Sequence, residues 1–414
     1  MKNIDLLIIG GGSAGMAAAI QAKKEGIDNL LIIEKDDCLG GILNQCIHNG
    51  FGLHEFKEEL TGPEYLYRFV KQVEKLEIHY LLNTLALQIT PEKVVTISNC
   101  EGVEQLKCKS IIFAAGCFER TASMIELPGD RCAGIITAGT AQKLVNIHGY
   151  NVGKKIVILG SGDIGLIMAR RLVLEGANVL CVCELMHHSN GLKRNIVQCL
   201  DDFNIPLYLG KTVIKAIGKN RLEKVILAKV DENLKPIPGT EEEVECDTLI
   251  LSVGLVPYYS ILKNIQVPIG PYKGPLVDEY MQTQVEGVFA CGNALHVHDI
   301  VDYVTDESRL AGHGAAMYLK GLFDHQNNIS VTPKEGVSYV VPQTIKNAIN
   351  EDITLKFRVN KPYTDVNIII SDENRVILKR FKPVLIPSEM EMIKIKKEYL
   401  EHVSGEITIK VEAK

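Results

Sequence analysis

A glycine-rich pattern that occurs twice, 150 residues apart, constrains the fold of this chain more than any other feature of its sequence. Each copy follows a short apolar run and precedes a helical pattern that ends at a glycine. A second apolar run then ends at an acid. The residues that recur without a gap are Gly10, Gly12, Gly15, Gly26 and Glu34 in the first copy and Gly160, Gly162, Gly165, Gly176 and Glu184 in the second. Such an internal repeat predicts a duplicated fold.

The spacing Gly-x-Gly-x-x-Gly between a strand and a helix is typical of a dinucleotide-binding loop. The first glycine permits a tight turn, the second lets a pyrophosphate approach the backbone, and the third lets the helix pack closely on the strand. The N–H groups and the positive dipole end of the helix then face the pyrophosphate. A glycine-rich turn without a ligand would not account for the strand, helix, second strand and acid that accompany each loop. We therefore expect two bound dinucleotides.

The acids that end the second strands, Glu34 and Glu184, are placed to accept hydrogen bonds from a ribose diol. An acid at position 184 favours NAD, because a carboxylate repels the 2′-phosphate of NADP. Lys193 and Arg194 lie downstream and could compensate for this repulsion, so NADP is the second choice.

The bulk properties of the chain argue against several classes of protein. Its 414 residues predict two to three domains, and a hydrophobic fraction of 46% with a charged fraction of 23% is typical of a soluble globular protein. A net charge of −6 argues against nucleic acid as a partner. No apolar run approaches the roughly 20 residues of a membrane span. The N-terminus enters a strand directly, so we expect no signal peptide. Eleven cysteines without framework spacing indicate reduced thiols in a cytoplasmic protein.

Three further segments follow the glycine loops in a characteristic order. Residues 111–115 (IIFAA) and 247–253 (DTLILSV) each predict a strand that returns from a nucleotide-binding domain, and each is followed by a glycine, Gly116 or Gly254. Residues 283–293 (TQVEGVFACGN) come later. With its segments in this order, the chain resembles the two-dinucleotide-domain flavoproteins, the pyridine nucleotide–disulfide oxidoreductase superfamily, over roughly residues 3–325.

This resemblance implies a fold and two cofactors, FAD and NAD. The fold is α/β, with two Rossmann-like dinucleotide-binding domains, the NAD domain inserted in the FAD domain, and a small, mostly β domain at the C-terminus. We expect the FAD-binding domain at residues 1–122 and 255–328, the inserted NAD(P)-binding domain at 123–254, and the C-terminal domain at 329–414. Asn293 stands where the family usually has an aspartate that touches the flavin ribityl chain, and an amide can still bond a hydroxyl.

The resemblance also implies which residues bind these cofactors. They lie in the two glycine loops, after the strands that follow those loops, beside the returning strands and in the late segment. They are Gly10, Gly12, Ser13, Ala14, Gly15, Glu34, Lys35, Gly41, Ile42, Ala115, Gly116, Gly292, Asn293, Gly160, Gly162, Asp163, Ile164, Gly165, Glu184 and Gly254. A helix predicted over residues 306–323 follows, and its N-terminus is expected to point at the pyrimidine edge of the flavin.

The stretch GGILNQCIHNGFG, residues 40–52, lies where one group of this superfamily carries a redox-active disulfide. There, a C-x-x-x-x-C pair follows two glycines, and the corresponding positions here are Leu43 and His48. Another group carries C-x-x-C in the second domain, and this sequence has none. Cys181 and Cys183 form a C-x-C in an apolar strand, where we expect them to point to opposite faces and to be structural. Disulfide exchange needs an accessible thiolate beside a resolving thiol, so we do not expect it.

Two residues of that stretch and two that closely follow residues 283–293 are candidates for chemistry at the flavin. They are Cys46, His48, His296 and His298. His48 can move a proton near neutral pH, or it can merely bond the backbone. The His-x-His pair could indicate a metal, but only Asp299 and Asp302 lie nearby in the sequence, so we predict no metal site. We expect the two segments to build one shared site at the flavin instead.

The resemblance can be narrowed. Residues 40–52, the following EELTGPEYLYRF, GNALHVHD and a small C-terminal domain resemble NAD-linked FAD subunits associated with anaerobic-type glycerol-3-phosphate dehydrogenase. Related subunits occur with dye-linked proline dehydrogenase and hydrogen cyanide synthase. The resemblance implies an electron-transfer subunit that works with a larger flavoprotein dehydrogenase. Any iron–sulfur centre would belong to a small cysteine-rich partner, and whether the chain also forms a homo-oligomer stays open.

Other functions are compatible with the same motifs. A stand-alone NADH oxidase or diaphorase is the main alternative, and a thiol–disulfide reductase or an assembly module with a structural flavin is less favoured. The tail from about residue 330 predicts β-strands. It contains no His-Pro pair of the kind that supplies a base in the disulfide reductases, which again argues against thiol chemistry.

Overall fold

The computed structural model describes residues 2–323, 329–346, 351–400, 403 and 405–414. The chain forms two compact units, one of Met1–Cys117 with Pro257–Lys414 and the other of Phe118–Val256. The second unit therefore begins before residue 123, where the sequence placed the start of the inserted domain, and ends after residue 254. The Arg120 N–H donates to the Gly254 carbonyl oxygen at 3.0 Å, and Ala122 packs against the core of this unit, so residues before 123 already belong to it.

A sheet of seven described strands forms the centre of the first unit. His79–Leu81, Leu30–Ile33, Lys2–Ile9 and Gly102–Phe113 run parallel in that order, and Val94–Asn99 and Leu85–Ile89 continue the sheet antiparallel. The carboxyl end of the long strand Gly102–Phe113 also pairs with Val288–Ala290. Leu6, Leu7 and Ile8 are fully buried, as expected of a parallel sheet that is covered on both faces.

The helices Ser13–Lys24, Gly62–Lys75 and Val301–Leu319 share the core of the first unit. The second of them begins at a capping box, in which Thr61 and Glu64 bond each other's backbone N–H groups. The first and third pack closely, because a Cβ on Gly312 would lie only 2.3 Å from the Ala18 carbonyl oxygen.

The late helix Val301–Leu319 differs from its predicted bounds of 306–323. Its first residues include β-branched side chains, which have low helix propensity, so no local signal indicates the early start. Tertiary contacts favour it instead: the Thr305 and Tyr65 hydroxyl groups lie 2.6 Å apart in the core. The helix ends before the predicted residue because Gly321 adopts a φ of +68°, a left-handed conformation that stops helices.

The second unit repeats the parallel arrangement of the first. Its sheet has the strand order Ile135–Thr137, Thr248–Leu251, Lys155–Leu159, Asn178–Glu184 and Leu207–Leu209. Its helices are Ala138–Asn146, Asp163–Leu174 and Lys193–Cys199. An antiparallel sheet of Lys211–Gly218, Leu222–Lys229 and Glu242–Glu245 packs on one face and shares a core with it.

The tail from residue 329 consists mainly of strands and belongs to the first unit. One sheet has the order Thr344–Ile345, Ile329–Pro333, Glu406–Ala413, Tyr363–Ser371 and Val376–Leu385, and the other has Val337–Val341, Ile353–Val359 and Glu391–Ile395. Apolar side chains of these sheets form a core of their own. Tyr339 and Val341 instead join the main core of the first unit, so the tail packs directly against it.

Shorter elements complete the described structure. They are the paired strands Asn49–Phe51 and Leu60–Thr61, the strands Cys117–Glu119 and Leu255–Pro257 at the chain crossings, the 3₁₀ helices Gly41–Gln45, Asp201–Phe203, Ser260–Ile265 and Gly292–Ala294, and the helix Lys397–Leu400. In the part of the chain that the structure describes, no helix is long and apolar enough to cross a membrane. The mixed α/β fold with two Rossmann-like domains is confirmed.

Asp278 is a fully buried acid in a turn of the first unit. Its Oδ1 accepts the N–H groups of Tyr280 and Gln282 at 3.0 and 2.9 Å, while no group among the described residues bonds Oδ2. Burial, and then the neighbouring Glu279, raises the pKa of this carboxyl to about 7. The folded protein therefore holds a proton here that the unfolded chain releases near pH 4.

Replacing Asp278 by asparagine is expected to change how stability depends on pH. Because the folded-state pKa is raised, wild-type stability falls as the pH rises from about 4 to about 7. The variant lacks this titration, so its free energy of unfolding relative to wild type should rise by about 3 kcal/mol across that window. Urea unfolding at pH 5 and pH 8 measures the change. An equal difference at both pH values would contradict the raised pKa.

Candidate functional site

The first glycine loop, residues 10–15, is closed on two sides and open on a third. A Cβ on Gly10, whose φ is +111°, would lie 2.4 Å from the Ala114 carbonyl oxygen, and one on Gly15 would lie 1.8 Å from the Gly10 carbonyl oxygen. A Cβ on Gly12 would meet nothing closer than the Gly40 carbonyl oxygen at 3.9 Å. No side chain caps the helix that begins here. The loop therefore fits a pyrophosphate, which would approach Gly12 and the helix N–H groups.

The Glu34 carboxylate anchors this loop by hydrogen bonds to backbone N–H groups. Its Oε2 accepts the Gly11 N–H at 2.7 Å, and its Oε1 accepts the Asp36 N–H at 2.9 Å. The side chain is buried, whereas the adjacent Lys35 is exposed and pairs with Asp36 at 3.0 Å. The predicted ribose ligand Glu34 thus also orders the loop itself.

The second glycine loop, residues 160–165, has the same geometry. A Cβ on Gly160 would lie 2.1 Å from the Ser252 carbonyl oxygen, whereas one on Gly162 would meet only the Ser252 Oγ at 3.7 Å. Glu184 accepts the Ser161 N–H at 2.9 Å and the Met186 N–H at 2.9 Å. These donors lie 150 residues beyond the donors to Glu34, so the repeat extends to individual hydrogen bonds. This loop fits a second pyrophosphate.

The segment after Glu184 folds back over the second loop. The Asp163 carboxylate accepts the Leu192 N–H at 2.9 Å and the Asn195 Nδ2–H at 2.6 Å, and the Asn190 N–H donates to the Ser161 Oγ at 3.1 Å. Asp163, a predicted cofactor residue, therefore positions this segment, while Ile164 packs at the edge of the unit's core.

A cleft of about 320 Å³ lies in the second unit at the carboxyl ends of Ile135–Thr137 and Thr248–Leu251. Thr121, Thr137 and Thr140 line its polar side. Open parallel sheets bind ligands at the carboxyl ends of their strands. The strand order places the second glycine loop between this cleft and Glu184.

The stretch of residues 40–52 adjoins the first glycine loop and contains both dithiol positions, Leu43 and His48. Gly40 donates its N–H to the Gly11 carbonyl oxygen at 2.8 Å, so the stretch adjoins the first glycine loop. Leu43 is buried at 5% exposure, whereas Ile42 is exposed. The His48 Nδ1 lies 3.0 Å from the Asn49 carbonyl oxygen, and its ring centroid is 4.9 Å from that of Phe51.

Cys46 lies between those positions and packs against the backbone of the next helix. The Gly62 N–H donates to the Cys46 carbonyl oxygen at 2.9 Å, and a Cβ on Gly62 would lie 2.9 Å from the Cys46 Cβ. The thiol lies 3.4 Å from the Ile42 carbonyl oxygen. Burial raises the pKa of this thiol to about 12, so it stays neutral at physiological pH. A thiolate nucleophile at Cys46 is disfavoured.

The end of the stretch is joined to the late helix through Asp302. This carboxylate accepts backbone N–H groups from Gly52 at 3.3 Å, His54 at 3.1 Å and Glu55 at 2.7 Å. Asp302 lies in the first turn of the helix, where a negative charge is favourable. The structure thus joins residues 52–55 to the late helix at Asp302, an acid that the sequence analysis named only as a neighbour of the histidine pair.

His296 and His298 lie in a buried polar cluster beneath the late segment. Their Nε2–H groups donate to the same oxygen, Oε2 of Glu307, at 2.8 and 3.1 Å, and the two ring centroids are 4.3 Å apart. The Lys356 Nζ donates to that oxygen at 2.7 Å, and Glu307 accepts the Gly292 N–H with Oε1 at 3.0 Å. The prediction that these histidines face the flavin as reactive groups is therefore replaced by a buried supporting role.

The charges of this cluster are strongly perturbed. Burial alone would raise the pKa of Glu307, but His298, Lys356 and His296 together hold it well below its ordinary value. Burial lowers the pKa of His296 to about 4, so this ring is neutral near pH 7. Glu307 is therefore an anion whose charge Lys356 compensates.

The same cluster bears on the prediction that the chain has no metal site. One ligand atom each of His296, His298 and Glu307 lies within 4.8 Å of the others, a spacing that could accommodate a metal ion. The sequence analysis missed this group because Glu307 lies 9 residues beyond His298 in the chain and contacts it from the late helix. Lys356 supplies the positive charge at the shared oxygen, so the arrangement is complete as a hydrogen-bond network.

The cysteine pair of the second unit corrects another expectation. Residues two apart in a strand point to the same face, and the Sγ atoms of Cys181 and Cys183 lie 3.7 Å apart. The hydrogen bond from Cys183 lowers the pKa of Cys181, and the same bond raises that of Cys183. Both thiols are buried between the two sheets of the unit, so the pair is closed to a substrate.

A family model described as "Pyridine nucleotide-disulphide oxidoreductase" matches residues 4–352 of this chain. Enzymes of this family use FAD and NAD(P)H. These are the cofactors that the resemblance implied, and both are dinucleotides, as the two glycine loops predict.

Curated relatives are identical to the chain at about a quarter of the aligned positions. It is 26% identical over 361 residues to the mitochondrial dihydrolipoyl dehydrogenase of Caenorhabditis elegans, covering 76% of this chain and 68% of that protein. It is 26% identical over 308 residues to the NAD(P)H sulfur oxidoreductase (CoA-dependent) of Pyrococcus abyssi, covering 72% and 64%. It is 24% identical over 321 residues to the hydrogen cyanide synthase subunit HcnB of Pseudomonas aeruginosa, covering 72% and 65%. The chain thus spans about two thirds of the length of these relatives.

Solved structures show the same fold. Thioredoxin reductase from T. acidophilum matches with a TM-score of 0.63 at 20% identity, covering 78% of this chain and 100% of that one. A NAD-dependent persulfide reductase from A. fulgidus matches with a TM-score of 0.60 at 19% identity, covering 91% and 70%. Because the family model covers most of the sequence and both glycine loops fit a dinucleotide, this chain belongs to the pyridine nucleotide-disulphide oxidoreductase family and is a FAD- and NAD(P)H-dependent oxidoreductase.

Proposed function

We propose that the chain transfers a hydride between NAD(H) and FAD without a redox-active disulfide, as the electron-transfer subunit of a dehydrogenase complex. The observation that carries this proposal is the chemistry of residues 43–48. A buried Leu43 and a histidine occupy the dithiol positions, and the thiol between them, Cys46, is neutral. Without a thiolate pair at this place, the electrons need another acceptor, which we take to be a partner protein.

The two loops supply binding and orientation for the reaction. Bound FAD supplies the two-electron chemistry. The backbone at Gly12 and Gly162 admits the pyrophosphates, and Glu34 and Glu184 receive the ribose hydroxyls. Because the second loop lies between Glu184 and the 320 Å³ cleft, a dinucleotide whose adenosine ribose binds Glu184 would extend its nicotinamide half towards that cleft. We propose the cleft as the site for that half.

The name of one relative supports a partner protein. The Pseudomonas aeruginosa relative is named as a subunit of hydrogen cyanide synthase. This name supports a role as a subunit beside another protein. We propose a larger flavoprotein dehydrogenase as that partner, with any iron–sulfur centre on a small cysteine-rich subunit, and the glycerol-3-phosphate type rests on the resemblance of residues 40–52 alone.

Anaerobic mixing of the purified flavoprotein with NADH tests this proposal. We expect the visible absorbance of the flavin to bleach at a rate typical of enzyme turnover. We expect the reduced protein to reoxidise slowly in air. A flavin that does not bleach would overturn hydride transfer. Rapid reoxidation by air without a partner would replace the subunit with a stand-alone NADH oxidase.

Replacing Glu184 by alanine is expected to narrow the preference for NADH over NADPH by about tenfold in kcat/KM. The change removes the charge that repels a 2′-phosphate, and it also releases the Ser161 and Met186 N–H groups. Steady-state kinetics with both nucleotides measures the ratio. The matched variant Glu184→Gln keeps an acceptor but loses the charge, so an unchanged ratio in both variants would mean that Glu184 does not contact the ribose.

Replacing His48 by alanine is expected to slow flavin reduction or reoxidation about 100-fold, the usual contribution of a general acid or base, while FAD content stays the same. His54, an exposed histidine of the same segment, is the control, and His54→Ala should leave both rates unchanged. Stopped-flow absorbance measures them. Wild-type rates in the His48 variant would mean that this ring only bonds the backbone.

A further inference from the structure

The buried cluster around Glu307 links the C-terminal sheets to the turn at Gly292. Glu307 uses one carboxylate oxygen for the Gly292 N–H and the other for three donors, of which Lys356 comes from the tail. Both side chains of this ion pair are buried, with 11% of Lys356 and 0% of Glu307 exposed. The dinucleotide-binding motifs do not explain why a lysine of the tail contacts this carboxylate of the late helix.

The strand Ile353–Val359 presents two cations to the late segment. Leu355 and Phe357 point into the core of the tail, so the alternating residues Lys356 and Arg358 point the other way. Arg358 pairs with Asp299 and donates to the Val297 carbonyl oxygen at 3.1 Å. The strand therefore holds residues 297–307 at two separate points.

The turn at Gly292 is pressed against the first glycine loop. Gly292 has a φ of +63°, and a Cβ placed on it would lie 2.8 Å from the Ala14 Cβ. The turn at Gly292 and the loop proposed for the FAD pyrophosphate therefore lie close together, and we expect a displacement of Gly292 to disturb that loop. The contacts run from Lys356 through Glu307 and Gly292 to Ala14, all within the first unit.

Lys356 is one of the groups that stabilise the buried Glu307 carboxylate. A buried carboxylate that loses a cationic partner retains much of the cost of desolvation, and it then moves or takes up a proton. The N–H groups of His296 and His298 would remain as donors to the same oxygen, but the salt bridge from Lys356 would be lost. The carboxylate would then no longer hold the Gly292 N–H in place.

We propose that Lys356 is a positioning residue for the flavin: through Glu307 it fixes the turn at Gly292, so that the C-terminal sheet sets flavin affinity and reduction potential. This inference rests on the proposed binding of FAD at the first glycine loop. It assigns the tail a part in flavin chemistry, apart from any contact with a partner. Lys356 acts through Glu307 and does not itself react.

The test is Lys356→Met, which keeps the length and apolar stem of the side chain but removes its charge. The matched control is Lys382→Met, which breaks the Lys382–Glu391 ion pair of the same tail and leaves the Lys356–Glu307 and Glu307–Gly292 contacts in place. Titration of the apoproteins with FAD, followed by flavin fluorescence, gives the dissociation constants. Spectroelectrochemical titration of the holoproteins gives the midpoint potentials.

We expect Lys356→Met to weaken FAD binding about tenfold and to favour oxidised over reduced flavin about tenfold, which lowers a two-electron midpoint potential by about 30 mV. Lys382→Met should match wild type in both. The double variant Glu307→Gln with Lys356→Met removes both charges and keeps an acceptor for the Gly292 N–H, so it should return to within about threefold of wild type.

Each result decides between the proposals. Wild-type affinity and potential in Lys356→Met would overturn the positioning role while leaving the proposed function intact, and so would equal losses in Lys356→Met and Lys382→Met. A wild-type protein that does not bind FAD would overturn both. If Lys356→Met does not fold, the double variant decides: recovery supports charge compensation of Glu307, and a persistent loss contradicts it.

Discussion

Replacing Gly12 by alanine is expected to weaken FAD binding about 100-fold, equivalent to about 2.8 kcal/mol, while the protein still folds. Gly12 has ordinary extended angles, φ −74° and ψ −172°, and a Cβ there would meet only an oxygen at 3.9 Å. The new methyl group would instead occupy the side from which a pyrophosphate approaches. A glycine-to-alanine change at a helix N-cap should cost the fold at most about 1 kcal/mol. Flavin content after purification and reconstitution of the apoprotein measures the loss.

The second loop provides the matched experiment. Gly162→Ala makes the same change at φ −66° and ψ 158°, where the nearest atom to a Cβ is the Ser252 Oγ at 3.7 Å. This variant should keep its FAD and lose reduction by NADH, because the methyl group blocks the nicotinamide dinucleotide. The opposite pattern, with Gly12→Ala retaining FAD and Gly162→Ala losing it, would show that the two sites have been assigned the wrong way round.

Replacing Asp302 by alanine is expected to lower the free energy of unfolding by about 3 kcal/mol, because three backbone N–H groups lose a charged acceptor in a buried place. Asp302 is 2% exposed and accepts from Gly52, His54 and Glu55. Urea unfolding at fixed FAD concentration measures the change, since bound cofactor adds to apparent stability. Residues 49–59 should also become sensitive to protease.

Asp306 is the control for that experiment. It lies on the same helix with 65% of its side chain exposed and pairs with Arg309 at 3.4 Å. Asp306→Ala should change stability by no more than about 0.5 kcal/mol, as surface ion pairs usually do. The conservative Asp302→Asn keeps one acceptor oxygen and should fall between the two. Equal losses in Asp302→Ala and Asp306→Ala would mean that the anchoring of Gly52–Glu55 contributes little.

The parts of the fold that depend on local backbone geometry could be predicted from the sequence. The turns at Gly10 and Gly160 and the close approach of each helix at Gly15 and Gly165 require glycine wherever they occur, so spacing alone identifies them. The strand-ending acids follow from the same local unit. Their hydrogen bonds to the loops are a finding of the structure.

The parts that depend on distant partners could not be predicted. The late helix begins at Val301 because Tyr65 bonds Thr305 and because the segment after Gly52 bonds Asp302, and neither contact has a trace in the local sequence. His296 and His298 likewise bond Glu307, and Lys356 reaches the same carboxylate from a strand of the tail. A histidine pair near a cofactor motif therefore indicated reactivity, whereas the tertiary contacts supply a supporting role.

The duplicated hydrogen bonds of Glu34 and Glu184 have a consequence for how cofactor choice is encoded in this chain. Each acid holds the backbone of its loop at equivalent positions, so these hydrogen bonds do not distinguish the two loops. The copies diverge just beyond, where Gly41–Gln45 forms a 3₁₀ turn in one and Lys193–Cys199 an α-helix in the other. We therefore expect selection between flavin and nicotinamide to depend on these flanking segments and on the loop side chains that contact them, such as Asp163. Transplanting a loop alone would move a binding frame from one unit to the other without moving its choice of ligand.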